Sequence, residues 1–284
     1  MKPVILAVPA TVAVLAAAGC GGGSTTMSVP TVAPVANYTL SDFRTSKPLV
    51  AGKPVKVSFT ILQPDGKPML HFKTGPGPHT GVHLIMVRDD LSTMIHVHPP
   101  VGKPVISQVV TFPAPGPYRV VIDVYPASES NTVNANFQLF DQLVVPGEYT
   151  PLPLPPTSQT AVVDGYHVSL HGAENLHAIQ ADLVTVDVTG PNGQPAHFTP
   201  WFGALAHAIF FHKGQFAYFH THVCAAGITG CTSILGPQTI TGSSTTPGVL
   251  KVGVLVPESG TWRLFLQMKP GPNVVTVPFT LHVH

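Results

Sequence analysis

Residues Gly81–Pro99 read GVHLIMVRDDLSTMIHVHP, and their three histidines, His83, His96 and His98, decide how the chain is organised. The same spacing returns 124 residues later as His207, His220 and His222 in GALAHAIFFHKGQFAYFHTHV. Each copy is a histidine, a gap, and then His-x-His. The flanks keep register with it. QPDGKP (63–68) returns as GPNGQP (190–195), a turn signal between two apolar runs in both places. Downstream, FPAPGPYRVVIDVYP (112–126) returns as VPESGTWRLFLQMKP (256–270). The offset runs 127, 124 and then 144, so the second copy carries about twenty extra residues after its His-x-His. The chain is therefore a duplicated domain.

Composition narrows the classes. Only 10 % of the 284 residues are charged, against roughly 25 % in an average soluble domain. A net charge of +1 offers no footprint for nucleic acid. The 31 prolines and 26 glycines argue against long helices and for short strands joined by turns. Each half has seven candidate strands, among them Val82–Arg88 and Thr93–His98 in the first, and Ala161–Leu170, Gly203–Phe211 and Phe216–His222 in the second. The expected fold is all-β, two tandem immunoglobulin-like β-sandwich domains at residues 37–145 and 161–284. Between them, the proline-rich 146–160 reads as a stiff spacer. The extra residues of the second copy, CAAGITGCTSILGPQTITGSSTTPG, are small and polar and read as mobile.

The first 19 residues read as a signal peptide: Lys2, an apolar run from Val4 to Ala18, and small residues before Cys20. Ala17-Ala18-Gly19-Cys20 resembles the lipobox of bacterial lipoproteins, with Ala17 where that family prefers leucine. The resemblance implies a lipidated Cys20 and a flexible tether over 20–36. A plain secretory signal and an uncleaved anchor are the competing readings. All three place the folded part in the cell envelope, on the outer side of the cytoplasmic membrane or in the periplasm, with the membrane contacted only through the anchor.

Strand alternation puts His96 and His98 on one face, and His220 and His222 likewise. If Arg88–Leu91 closes one hairpin and Lys213-Gly214 the other, His83 stands opposite His96 and His207 opposite His220. Opposed side chains lie about 5 Å apart and diagonal ones within about 8 Å, so each half could present three imidazoles to one ion. Three nitrogens suit copper(II) or zinc(II), and a sulfur would favour copper(I). Met94 shares the parity of His96 and offers a thioether, whereas Tyr218 stands at the matching place in the second half. Cys224 and Cys231 read as a disulfide, worth about 2.5 kcal/mol for so short a loop. Taken singly, His71, His79, His167, His171, His177, His197 and His212 read as ordinary structural histidines, and His282 and His284 as a frayed end.

No hydrolase elbow, phosphate loop or His-Glu-x-x-His helix is present, and Asp89-Asp90 reads as a turn. The strand with His83, followed by Arg88-Asp89-Asp90-Leu91 and His96-Val97-His98-Pro99, resembles a group of bacterial secreted proteins and lipoproteins with His…HxHP sandwich domains of cupredoxin- or YtkA-like type. That resemblance implies handling of heavy metals, copper above all, in the envelope. The expected function is extracytoplasmic binding of copper, with zinc as the alternative, for storage, tolerance or delivery and without turnover. Its ligands would be His83, His96 and His98, with Met94 a further candidate, and His207, His220 and His222, as separate sites or one shared site. The rival classes are a sandwich pair whose histidines only pack, and a three-histidine metal enzyme.

Overall fold

Val82–Arg88 and Ala206–His212 are buried at all seven positions, a pattern that fits strands covered on both faces. The structure, a computed structural model, describes residues 37–75, 77–127, 136–235 and 237–284. The expected signal peptide, Cys20 and tether lie outside the described residues.

In the first half, β1 (Thr39–Thr45), β2 (Pro54–Leu62) and β5 (Ile106–Thr111) form one sheet in the order β1-β2-β5. The facing sheet runs β4-β3-β6-β7, from β3 (Val82–Arg88), β4 (Met94–Val97), β6 (Gly116–Val124) and β7 (Phe137–Val145). Alternate residues of both sheets, including Val57, Phe59, Leu84, Met86, Val120 and Ile122, fill one core. Among the described residues this is a seven-stranded sandwich with its fourth strand on the sheet of the third, sixth and seventh.

The second half has β8 (Thr160–Val163), β9 (Tyr166–His171), β10 (Asp182–Thr189), β11 (Ala206–His212), β12 (Tyr218–Ala225), β13 (Thr232–Leu235), β14 (Gln238–Thr246), β15 (Val249–Val254), β16 (Gly260–Met268) and β17 (Val275–Val283). It surrounds its own core, with Val186, Ala208, Phe210, Trp262 and Leu264 among the members. Two expectations change here. Ala161–Leu170 is two strands, split by a turn at Asp164-Gly165 where both residues take positive φ. The inserted segment, expected to be mobile, is structured: β13 pairs with β14, and β14 pairs in parallel with β12 and antiparallel with β15. It thereby joins the two layers into one sheet, β17-β16-β11-β12-β14-β15-β10-β9-β8. A side chain at Gly242 would run into the carbonyl of His222, so only glycine lets β14 lie this close to β12.

The two halves meet through the outer faces of their middle sheets. Ile85, Val87, Leu91 and Val121 pack against Ile209, Phe211 and Phe265, with Met94, Leu154 and Tyr218 at the margin. Each such buried side chain stabilises by roughly 1.5–3 kcal/mol relative to exposure. The Arg88–Leu91 motif serves this junction. Arg88 donates to the Pro115 carbonyl (2.8 Å) and to Asp90 (2.9 Å), while Asp90 also accepts from the Leu152 amide (3.0 Å). Arg119 donates to Asp89 (2.8 Å) and across to the carbonyls of His212 (3.2 Å) and Gln215. Leu152 and Leu154 thus hold the proline-rich connection against the body.

The first hairpin closes with a loop of the expected length set one residue later, and the second is longer than the expected Lys213-Gly214 turn. Arg88 bonds to Thr93 and His212 to Ala217, leaving four-residue loops 89–92 and 213–216. The pairing is therefore Ile85↔His96 and His207↔His222, shifted by two residues in both halves. A shift of two preserves strand parity, so each histidine keeps its face.

Candidate metal centre

On the junction faces, β3 and β11 contribute His83 and His207, β4 and the residue after it contribute His96 and His98, and β12 contributes His220 and His222. Because the two sheets lie face to face, the six rings form a single cluster. His83 lies 3.9 Å from His98, 5.1 Å from His220 and 5.6 Å from His222, centroid to centroid. His96 lies 5.0 Å from His207 and 5.2 Å from His220. His83, His207 and His222 are fully shielded from solvent, and His98 is half-buried. Two groups have ligand nitrogens within 4.8 Å of one another: His83, His96 and His220, drawn from both halves, and His207, His220 and His222. His220 belongs to both.

The outer partners set which nitrogen faces inward. His83 donates from Nε2 to the Pro78 carbonyl (2.9 Å) and His207 from Nε2 to the Trp201 carbonyl (3.0 Å). A carbonyl only accepts, so Nδ1 of each neutral ring keeps its lone pair. His96 donates from Nδ1 to Gln267 Oε1 (2.9 Å), leaving its Nε2 lone pair 3.1 Å from Nε2 of His98. Such outer bonds fix tautomer and orientation in metal-binding histidines. His83 Nδ1 and His222 Nε2 have no hydrogen-bond partner among the described residues.

His220 has one proton and two groups competing for it. Its Nε2 lies 3.3 Å from the lone pair of His207 Nδ1, and its Nδ1 lies 3.7 Å from Asp123 Oδ2. A cation accepting both inward lone pairs would leave the proton on Nδ1, facing the carboxylate. Asp123 and Gln267 hold equivalent places, directly paired with His83 and His207 respectively. Each half therefore supplies the side chain that meets the other half's second histidine.

Burial governs the charge states. It pushes His83, His96, His220 and His222 well below the usual imidazole range, and the neighbouring rings add to the effect. It takes His98 to about 3 and His207 to about 4. The rings are neutral at neutral pH, the form that coordinates metal. Burial raises Asp123 to about 6, against the donors Asn136, Gln138, Tyr125 and Tyr218.

All six sequence-predicted histidines come together, in one cluster and not as two isolated trios. Met94 packs at the margin of the apolar junction, and its counterpart Tyr218 donates to Asp123 (3.5 Å). Cys224 and Cys231 form the disulfide. His79, read as an ordinary structural histidine, instead joins the cluster, with its Nε2 3.0 Å from His222 Nδ1. His212 does pack structurally, its ring against Trp262 and its Nε2 donating to the Ser259 carbonyl (3.1 Å). His71, His167, His171, His177, His197, His282 and His284 are exposed. Trp201 and Phe202, also unforeseen, cover His96 and His98. Asp123 was legible as the one acidic residue inside the apolar run YRVVIDV, but its role depends on the docked second half.

No curated protein matches the chain. Among solved structures it is similar to invasin, described as a bacterial integrin-binding protein, at 11 % identity and TM-score 0.23, over 86 % of this chain and 39 % of that one. Domains 5–6 of the S-layer protein SbsC give 12 % identity and TM-score 0.22, over 87 % of this chain and 99 % of theirs. A C-terminal fragment of intimin gives 9 % and 0.20, over 86 % and 64 %. The chain thus spans about two fifths of the invasin structure, and likeness at these scores carries no functional reading. Residues 35–139 and 161–284 match one family, and the chain belongs to it: the family described as domain of unknown function DUF8832.

Proposed function

We propose that this protein is an extracytoplasmic lipoprotein that binds a transition-metal ion between its two halves and stores it or hands it on without turnover. Copper is the ion of choice, because an all-imidazole set suits copper and zinc and divalent affinity rises to its maximum at copper. One observation carries the reading: six imidazoles from two repeats converge in a buried cluster whose outer partners aim lone pairs inward. The lipid anchor rests on Cys20 and its flanks, and the oxidising compartment on the Cys224–Cys231 bond. The test is metal analysis of the mature protein beside His220→Ala, the ring common to both ligand groups. Loss of bound metal is expected, and equal metal content in the two would overturn the proposal.

A structural reading has its own support, since ring pairs at 3.0–3.3 Å can hold the junction together without an ion. It predicts a melting temperature indifferent to added copper or zinc, whereas a ligand of the native state must raise it.

A further inference from the structure

The cluster has two pseudo-equivalent ends, and they are finished differently. At one end Trp201 lies 5.5 Å from His96, and Phe202 stacks on His98 at 3.8 Å. Counting back 124 residues from Trp201 and Phe202 gives Gly77 and Pro78, so no aromatic ring stands at the corresponding places of the first half. At the other end lies a cavity of about 240 Å³, lined by Asp123, Gln138, His79, His220 and residues 232–235 of β13. That volume accommodates an ion with several of its waters. His83, His96, His207 and His222 line neither this cavity nor the one beside Thr80, so His220 and His79 are where the cluster meets the cavity. The charge follows the same asymmetry: the carboxylate of Asp123 stands at the open end, and the neutral amide of Gln267 takes its place at the closed one.

From this we infer that the cavity is the port through which a transition-metal cation reaches the histidines, with Asp123 drawing it in and passing it to His220. A recessed carboxylate focuses its field outward and raises the arrival rate of cations. Imidazole suits copper better than a carboxylate oxygen does, so the ion moves on. The inference rests on the metal-binding reading above and adds a direction to it.

Rapid-mixing measurement of copper(II) uptake by the mature protein, Asp123→Asn and Ile234→Trp tests it. Ile234 lines the cavity and is 49 % exposed, so a larger side chain there fills the port without entering a core. The uptake rate is expected to fall about tenfold or more in both variants, and Ile234→Trp should reach the wild-type metal content at equilibrium. The wild-type rate should drop with added salt and that of Asp123→Asn should not, while Asp123→Glu should restore it. A wild-type rate in either Asp123→Asn or Ile234→Trp, or no rescue by Asp123→Glu, overturns the port. If the wild-type protein takes up no copper at all, the metal-binding reading fails as well; uptake by the wild type with unslowed variants removes the port alone.

Discussion

The two halves carry the same histidines at the same spacing, yet the second is closed where the first is open. Strands β12 and β15 are linked through the inserted β14, whereas the first half keeps its three- and four-stranded layers apart. The second half also supplies Trp201 and Phe202 over the cluster and Gln267 behind it, where the first supplies Gly77, Pro78 and Asp123. The histidines recur in both halves, and their surroundings do not. The lesson is that repeated side chains set what the cluster can hold, while the unrepeated ones decide which end is open and where the charge lies.

The strongest effect is expected from the unequal use of the six histidines. His220 belongs to both ligand groups and His98 to neither. His220→Ala should therefore abolish metal binding and His98→Ala should leave most of it, as read by metal content after gel filtration. Equal losses would mean that the halves act as independent trios.

A second effect comes from acid. In the metal-free protein the cluster rings have folded-state pKa values depressed below 6.5, so the unfolded chain binds more protons below that pH. Stability is present above pH 6.5 and is lost as pH falls toward 4 and 3. For His207 alone, depressed to about 4, the loss is about 2 kcal/mol at pH 5. Asp123, raised to about 6, acts in the opposite sense between pH 6 and 3.8, and it is one group against several. Thermal melts from pH 7 to 4 should fall steeply, and a flat profile would contradict the burial of the rings.

Smaller still is the effect of closure. Gly242→Ala should push β14 off β12 and destabilise the second half by about 1–3 kcal/mol, seen as a lower denaturation midpoint. No described residue of the first half has this duty, so its core should be unaffected in hydrogen exchange. The finest probe is Gln267→Leu, which removes the acceptor of His96 Nδ1 and should weaken metal binding about tenfold by competition titration.

Much of the fold is legible in the sequence. The β-branched and apolar run Val82–Arg88 has the bounds of the observed strand, and turn residues mark most of its neighbours. The hairpin register differs from the expected one by two residues, because Asp89-Asp90 marks a turn without fixing where its loop begins and Lys213-Gly214 marks one without fixing its length. The error left no trace on the faces, since strands alternate with period two. The threonines and serines of the inserted segment look like loop composition, whereas strand formation there depends on the open edges of β12 and β15. His79 does not stand out in the sequence, because a lone histidine among prolines and glycines carries no periodicity.

The repeated histidine spacing, the all-β character and the placing of three histidines on one face of each half are legible in the amino-acid order alone, because these follow from local alternation and spacing. That the two faces press together, that six rings become one cluster, and that Asp123 and Gln267 each serve the opposite half emerges from packing. Those contacts join residues up to 171 positions apart. They depend on how two apolar sheet faces dock, a property of packed surfaces that strand periodicity does not encode.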